Sequence, residues 1–242
     1  RDMEIVEDEL ILSDLVSAEQ QLKKLEKNLD KDKGNKEKIQ IFEKIIKNLI
    51  SEKSLKNLNF NKDELEILKT FNLISIKPKI FICNLNEKEN LKDNKYLNLI
   101  KKNLNDDRST IISISAEIES QIAQLENEVE KKEFLDSLGW NNSGLDRIIK
   151  LSYIKLNLIT YFTCGPKETR AWTINANTRA PKAAGKIHTD FEKGFIRAET
   201  ISYNDFEDLG GETACREAGR LRQEGKEYIV KDGDVIHFLF NN

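Results

Sequence analysis

The sequence predicts a mixed α and β protein in three parts: a helical hairpin, an incomplete α/β segment and a small α+β module. Glycine and proline support this division because both residues disfavour helices. Residues 1–77 hold one of the eleven glycines and none of the three prolines, whereas residues 159–242 hold eight glycines and two prolines. The apolar pattern also changes, from a heptad period to short apolar runs that alternate with helices. We place the three parts at residues 1–60, 61–157 and 158–242.

The first part, residues 1–60, carries an apolar stripe with the repeat of a coiled-coil helix, in which spacings of four and three residues alternate. Its first stretch consists of Ile11, Leu15, Ala18, Leu22, Leu25 and Leu29. A charged segment, residues 30–36, interrupts the stripe, which resumes from Ile39 to Leu49. This pattern predicts a coiled-coil hairpin of two antiparallel helices. Lysines near its tip could bind RNA phosphates, but the interleaved acidic residues favour an ordinary solvated surface.

The second part, residues 61–157, is predicted to alternate strands with helices. Asn61 and Glu64 match a capping box, which indicates the start of a short helix. Residues 80–83 and 111–114 are runs of strand length that are apolar on both faces, as is typical of parallel strands covered by helices.

Helices are expected around each of these strands. One is predicted near residues 96–104, a second over about 118–135, and a third from Ser143 through Ile154. Two strands are too few for a parallel sheet of this kind. Because the chain also begins at Arg1 without a methionine, we expect the other strands to come from preceding sequence or from a partner.

The third part, residues 158–242, is predicted to place short strands around a helix. A helix is expected over residues 212–223, and Asp232-Gly233-Asp234 is expected to form a tight turn between the last two strands. The strand candidates are residues 159–163, 170–174, 195–202, 228–230 and 235–240. A mixture of this kind on a short segment suggests a ubiquitin-like module.

Composition excludes several classes of function. With 39 basic and 42 acidic residues the net charge is -3, so any nucleic-acid contact must come from a local basic patch, and DNA is not an expected partner. The sequence has neither an apolar run of about 18 residues nor a basic-then-apolar leader, so we expect a cytoplasmic protein with no membrane partner. Cys83, Cys164 and Cys215 are too scattered for a zinc site or a disulfide framework.

The sequence contains no self-contained site for the phosphates of a nucleotide. The pattern G-x-x-x-x-G-K-[ST] does not occur, and no glycine-rich turn lies between a strand and a helix. Two D-x-x-G strings, at residues 136–139 and 208–211, do not follow strands and are interpreted as helix ends. We therefore assign no catalytic residue and no metal ligand, and we expect the chain alone to hydrolyse no nucleotide.

Polar residues do follow both buried strands of the second part. Asn84-Leu85-Asn86-Glu87 follows the first strand, and Ser115-Ala116-Glu117 follows the second. Because ligands bind beyond the carboxyl ends of parallel strands, both loops are placed to meet one ligand. An amide, a carboxylate and backbone N–H groups can together pair with a base edge. The predicted nucleobase site consists of Asn84, Leu85, Glu87, Ser115 and Ala116. Alternatively, Asn84 and Glu87 only cap helices, since N-x-x-E also occurs at residues 61–64 and 86–89.

Some runs of residues are long and specific enough to compare with known families. The longest are residues 170–174 and 180–196, the second of which includes G-K-I-H-T-D-F-E-K-G-F from Gly185 to Phe195. Shorter runs are residues 9–15, 84–87, 114–117, 143–146 and 228–234. Together they resemble the Obg-like ATPases of the YchF family, within the translation-factor class of P-loop NTPases. The resemblance covers essentially the whole chain.

This resemblance implies the C-terminal two thirds of such a protein. It would contain an inserted coiled-coil hairpin, the last strands of the P-loop nucleotide domain, and a TGS domain of ubiquitin-like β-grasp fold. The family's P-loop, magnesium ligands and catalytic histidine would precede Arg1, and neither His188 nor His237 corresponds to that histidine. We interpret His188 as a structural or binding position and His237 as a core or strand-face residue.

The resemblance also implies the ligands. Guanine-specific relatives have Asn-Lys-x-Asp in the base loop, whereas this chain has Asn84-Leu85-Asn86-Glu87. ATP is therefore the expected ligand, with GTP as a second candidate and Mg²⁺ as the metal in the longer protein. TGS domains imply contact with the ribosome or its RNA. The candidate RNA-binding residues are Arg170, Arg179, Lys182, Lys186 and Lys193, while the nearby Trp172 and Phe191 are expected in the core. A different class stays open: a non-enzymatic ribosome-binding or RNA-binding module made of the hairpin and the TGS domain.

Overall fold

The computed structural model describes residues 2–28, 35–51, 60–86, 94–103, 111–165 and 168–241. The chain divides into two compact units, Arg1–Lys79 and Ile80–Asn242. No helix in these described ranges is long and apolar enough to cross a membrane.

The first unit is helical. Its helices are α1 (Asp2–Lys27), α2 (Asn35–Ile50) and α3 (Lys62–Lys69). The stripe on α1, from Ile11 to Leu25, packs on buried residues of α2, among them Phe42 and Ile45. Asn35 Nδ2 donates to the carbonyl oxygen of Asn28 at 2.9 Å, so the end of α1 adjoins the start of α2. Helices packed along each other with these ends adjacent run in opposite directions, which confirms the predicted antiparallel pair.

Residues 60–79 belong to the same unit. Leu68 and Leu73 are buried in the core shared by α1 and α2, and the ring of Phe71 meets that of Phe42 edge to face at 4.6 Å. Asp14, 2% exposed, accepts hydrogen bonds from the backbone nitrogens of Ile74 at 2.8 Å and Ser75 at 2.7 Å. The predicted boundary at residue 60 therefore lies inside this unit. The predicted capping box of α3 is present.

The second unit begins with two parallel strands and their helices. The strands pair in register over four residues and confirm the predicted parallel arrangement. The prediction of a single helix over residues 118–135 is wrong, because the side chain of Asn127 accepts the backbone hydrogen bond of Val129 at 2.7 Å and starts a new helix. The elements are β1 (Phe81–Asn84), α4 (Lys95–Asn103), β2 (Ile111–Ile114), α5 (Ala116–Gln124), α6 (Glu128–Ser137) and α7 (Gly144–Lys155).

A five-stranded mixed sheet follows. Its strand order is β4-β3-β7-β5-β6, with β3 and β7 parallel and the other neighbours antiparallel. Tyr161, Ile236 and Phe238 pack on the alanine face of α8, and Tyr161 Oη donates to the carbonyl oxygen of Ala183 at 2.9 Å. The elements are β3 (Leu158–Cys164), β4 (Thr169–Asn175), α8 (Ala180–Ile187), α9 (Thr189–Lys193), β5 (Phe195–Ser202), α10 (Tyr203–Leu209), α11 (Glu212–Glu217), β6 (Arg222–Glu224) and β7 (Asp234–Phe240).

Two predictions for this part of the chain, one strand and one helix, are wrong. Residues 228–230 make only a single bridge, from Ile229 to Arg179, rather than a strand. The helix predicted over 212–223 ends at Glu217, because Gly219 adopts a φ of 70° and residues 222–224 pair with β5 as β6. Both D-x-x-G strings lie at helix ends, as predicted.

Candidate nucleobase site and basic surface

The two loops predicted to share a ligand meet at the carboxyl ends of β1 and β2. The backbone nitrogen of Ala116 donates to Asn84 Oδ1 at 3.0 Å, and the backbone nitrogen of Leu85 donates to the carbonyl oxygen of Ile114 at 2.9 Å. Asn84 therefore does cap a helix, but across the two loops and at the start of α5 rather than within its own segment. Because Oδ1 accepts this bond, the exposed amide nitrogen of Asn84 is oriented to donate to a ligand.

Ser115 lies between these contacts and faces inward. It is fully buried, and its hydroxyl oxygen has no hydrogen-bond partner in the described part of the chain. An unpartnered buried hydroxyl is costly, by about 1–3 kcal/mol. The hydroxyl is thus available to a polar ligand atom or a water molecule that enters the site.

Two residues that the sequence analysis did not predict hold the second loop, residues 115–117, against α7. Arg147 Nη2 donates to the carbonyl oxygen of Ser113 at 2.8 Å, which ties α7 to the end of β2. Glu119 accepts from the backbone nitrogens of Gly144 at 2.6 Å and Leu145 at 3.1 Å, so one carboxylate satisfies two free donors at the start of α7. The only sequence signal was S-G-L-D-R itself, which opens α7.

Gly144 is needed for this close approach. A Cβ atom at residue 144 would lie 2.7 Å from Cγ2 of Ile114 and 2.6 Å from the carboxylate of Glu119. Contacts this short force Ile114 or Glu119 to move, so glycine at the first position of α7 allows the closest packing against β2.

A cavity of about 470 Å³ opens beside the first loop. Its walls come from the end of β1, including Asn84 and Leu85, and from Tyr96, Leu97 and Ile100 of α4. Burial raises the pKa of the Cys83 thiol, an effect that Lys101 partly offsets, so this cavity wall stays uncharged at neutral pH. Glu87, the fifth residue of the predicted base site, lies outside the described residues.

The predicted RNA-binding residues are all exposed, but three of them have acidic neighbours. Arg179 pairs with Glu227 at 3.0 Å and Lys182 with Glu192 at 2.6 Å. The Arg170 guanidinium lies 4.3 Å from the ring centre of Trp172 and 3.9 Å from Glu168. Surface pairs of this kind weaken the positive potential that RNA would meet.

The structure brings only two of these residues together. Lys182 and Lys186 line one cavity of about 510 Å³ with residues 173–175 of β4. Arg170 lies near the other end of β4, about 13 Å away at ~3.3 Å per residue. Lys193 is the last residue of α9, and Arg179 precedes α8. The basic residues therefore do not form one continuous patch.

The remaining predicted positions are structural. His188 is exposed, and its Nδ1 accepts from the backbone nitrogen of Asp190 at 3.3 Å, which caps α9. His237 of β7 is exposed and lies opposite Glu199 of β5. The strand-face interpretation therefore holds, and the core interpretation is wrong. Trp172 and Phe191 pack against the core but stay partly exposed. No group of three or more metal-ligating side chains occurs within the described ranges.

Comparison with known proteins agrees with this architecture. The family model YchF-GTPase_C, described as a protein of unknown function, matches residues 158–241. The Ribosome-binding ATPase YchF of Haemophilus influenzae is 44% identical over 241 residues, and that of Bacillus subtilis is 42% identical over 243 residues. Each alignment covers 99% of this chain and 66% of the relative. The chain thus spans just under two thirds of the length of these relatives.

Solved structures also resemble this chain. The Schizosaccharomyces pombe YchF GTPase is 37% identical and superposes with a TM-score of 0.83, covering 99% of this chain and 65% of that one. A GTP binding protein from Pyrococcus horikoshii, 17% identical with a TM-score of 0.57, shares the fold over 99% of this chain and 71% of its own. The sequence, the helical part and the mixed sheet together match those of YchF proteins over nearly the whole chain. The chain belongs to the YchF family.

Proposed function

We propose that this chain is the part of a ribosome-associated ATPase that contacts the nucleobase and the ribosome. Residues 61–157 would complete a P-loop nucleotide domain that binds ATP with Mg²⁺, residues 158–242 would form a TGS domain of β-grasp fold, and residues 1–60 a coiled-coil hairpin. The names of the bacterial relatives, Ribosome-binding ATPase YchF, support this proposal. Such a protein would act in the cytoplasm, where ribosomes are.

The observation that carries the nucleotide proposal is the hydrogen bond between Ala116 and Asn84. It holds two loops from two parallel strands at the sheet edge where nucleotides bind. It also orients the Asn84 amide nitrogen as a donor, and a base nitrogen such as adenine N7 is a matching acceptor. Leu85 adds an apolar side chain beside the cavity of about 470 Å³, which suits the flat face of a base.

Base preference would depend on residues 85 and 87. A short aspartate accepts two N–H groups of guanine, whereas Glu87 is one methylene longer and Leu85 provides no lysine stem over the ring. We therefore expect adenine to be accepted in preference to guanine. Phosphoryl transfer also needs a phosphate cradle and a metal site, and the sequence contains no such motif, so this chain alone should show no ATP or GTP hydrolysis.

An NMR titration of the chain with adenosine and guanosine tests the base site. Adenosine should shift the amide signals of Leu85, Ser115 and Ala116, and it should do so at lower concentration than guanosine. The double variant Leu85→Lys, Glu87→Asp should change the ratio of the two affinities toward guanosine by about tenfold, because one hydrogen bond to a charged acceptor is worth ~1.5–3 kcal/mol.

Two controls separate the base site from a general effect. Leu85→Met keeps an apolar stem and should leave the ratio unchanged. If the double variant also leaves the ratio unchanged, or adenosine shifts amides elsewhere, Asn84 and Glu87 are only helix caps.

The second candidate function is a non-enzymatic ribosome-binding module, and the cavity flanked by Lys182 and Lys186 favours it. Charge reversal of Arg170, Lys182 and Lys186 to Glu should then reduce co-sedimentation with ribosomes, and binding of the unchanged chain should weaken as salt increases. Deleting residues 30–38 tests the hairpin separately. If the reversed protein is folded and co-sediments like the unchanged chain at every salt concentration, these three residues are solvated surface.

A further inference from the structure

Strand β4 forms one edge of the five-stranded sheet, and no other strand of the described residues pairs with its outer side. The backbone of Ala176 donates to Asn157 at 2.8 Å and that of Gly165 donates to Glu168 at 3.0 Å, which sets the hydrogen-bonded register of β3 with β4. In this register, residues 170, 172 and 174 direct their backbone groups to β3. Thr169, Ala171 and Thr173 therefore direct theirs away from the sheet.

Nothing on β4 blocks the approach of another strand. Edge strands are usually protected by proline, by a bulge or by lysines along the edge. β4 pairs with β3 over all seven residues without a register shift, and its sequence T-R-A-W-T-I-N contains neither proline nor lysine. Tyr153 reaches Thr173, but its hydroxyl bonds to the side-chain oxygen at 3.1 Å and leaves the backbone edge open.

The α8 side of this edge has apolar side chains and one cavity that alternate side chains of an added strand could reach. Trp172 and Ile174 lie opposite Tyr161 and Ile159 across the pair, so they face the core and α8, and Trp172 stays partly exposed. The cavity of about 510 Å³ continues this surface from β4 to Lys182 and Lys186 of α8. An added strand would place every second side chain into this groove.

The charges flanking the groove are basic at both ends. Lys186 lies at one end and has no ion pair in the described part of the chain, and Lys182 beside it pairs with Glu192. Arg170 lies at the other end of β4, on the same side, and its contact with Glu168 is long at 3.9 Å. Glu192 also lines the cavity and compensates Lys182, so acidic side chains of an incoming strand would meet net positive charge mainly at Lys186 and Arg170.

We propose that the β4 edge binds an extended, acidic peptide segment of a protein partner by strand addition. Backbone N–H and C=O groups of Thr169, Ala171 and Thr173 bind the peptide backbone. Alternate peptide side chains contact Trp172 and Ile174, and acidic ones contact Lys182, Lys186 or Arg170. A peptide suits this site better than RNA because the edge repeats donor and acceptor every ~7 Å along a straight line, as another strand does. The proposal does not depend on the nucleotide site.

A synthetic peptide tests this proposal when it is titrated into the whole chain and followed by NMR. Its alternate, groove-facing residues are valine in the middle and glutamate at both ends, and its other residues are serine. The amides of Thr169, Ala171 and Thr173 should shift and become protected from hydrogen exchange. A matched peptide with lysine in place of glutamate should bind at least tenfold more weakly, because its end residues meet Lys186 and Arg170 with like charge. Absence of shifts on this edge with the acidic peptide overturns the proposal.

Backbone pairing is tested without changing the protein. N-methylation of those alternate peptide residues that face β4 removes their donors and should weaken binding about tenfold or more. N-methylation of the other residues, which face solvent, should have little effect. Equal binding of the two methylated peptides would mean that the groove attracts only side-chain charge, and the strand-addition proposal would fail.

A pair of protein variants gives the complementary test. Ala171→Pro removes an outward N–H while leaving the pairing with β3 intact, and should abolish binding; Ala171→Ser keeps that N–H and should bind normally. The hydrogen exchange of β3 amides shows whether the proline variant is folded. A short single-stranded RNA that shifts the same amides and displaces the peptide would assign the groove to RNA and overturn the proposal.

Discussion

The two sheets of the second unit differ in how far their apolar cores are closed to solvent, and this difference bears on the two sites proposed for them. In the five-stranded sheet, Tyr161 is fully buried and Ile236 is 2% exposed. Around the two-stranded sheet, Ile82 is 48% exposed and Leu99 56% exposed. A sheet with its own closed core can hold a binding surface in place without contacts from other parts of the protein. The two-stranded sheet has only two loops and the helices behind them, so its site depends on a few specific contacts.

This comparison predicts that deleting core volume matters most in the five-stranded sheet. Tyr161→Ala should lower the free energy of unfolding by about 3–5 kcal/mol, because the ring is fully buried against Phe238 and the alanines of α8. Urea denaturation followed by Trp172 fluorescence measures this loss when all variants are made in a Trp140→Phe background, because the chain has two tryptophans. Tyr161→Phe removes only the hydroxyl donor to Ala183 and should cost about 1 kcal/mol.

Equal losses for Tyr161→Ala and Tyr161→Phe would contradict the assignment of this ring to a packed core. The stability would then come from the hydrogen bond to Ala183, and the two sheets would differ less than their burial indicates.

A smaller and local effect is expected at the two-stranded sheet. Gly144→Ala should cost about 1–3 kcal/mol, because the new Cβ overlaps Ile114 and Glu119. Its signature should be faster hydrogen exchange of the Ala116 and Leu85 amides with little change in β3 and β7. Gly225→Ala is the matched control, since a Cβ at residue 225 meets no atom within 4 Å. If exchange in the five-stranded sheet increases equally, the two sheets unfold together and the comparison is wrong.

Local patterns predicted most of the fold and the position of the candidate site. The apolar runs before Asn84 and Ser115 placed both loops at one sheet edge, and the structure joins them through Ala116. The prediction missed Arg147 and Glu119 because their contacts reach across 34 and 25 residues of sequence, where no periodicity applies.

The errors have the same origin. The candidate RNA-binding residues lie close together in the sequence, which suggested a single basic surface. In the structure Glu227 neutralises Arg179 and Glu192 neutralises Lys182, each from a different segment of the chain. Strand β6 was missed because R-Q-E is short and charged, and pairing with β5 rather than propensity makes it a strand. Asn127 split one expected helix into two, since an asparagine can compete for the backbone as a cap.

The smallest predicted effect is a pH dependence confined to the five-stranded sheet. Burial, followed by a 2.7 Å hydrogen bond to Asp234, raises the pKa of Tyr228 to about 12, and burial also raises the pKa of Tyr161. A raised tyrosine pKa favours the folded state while the phenol is neutral. The stabilisation is thus complete below pH ~10, the pKa of an unfolded tyrosine, and is lost as the pH increases toward 12. After allowance for solvent screening of the partly exposed Tyr228, the loss from this group should be about 1 kcal/mol.

Hydrogen exchange at high pH is too fast to follow, so the measurement is urea denaturation at pH 9, 10 and 11, with Trp172 as the reporter. Tyr228→Phe should reduce the decline in stability because it removes one of the two phenols whose pKa is raised in the folded state, and the double variant with Tyr161→Phe should reduce it further. Tyr203→Phe changes an exposed tyrosine at the start of α10, next to the same sheet, and serves as the control that should leave the decline unchanged. If Tyr203→Phe flattens the pH profile as much as Tyr228→Phe does, the decline reflects general alkaline charging, and the closed sheet has no specific sensitivity of its own.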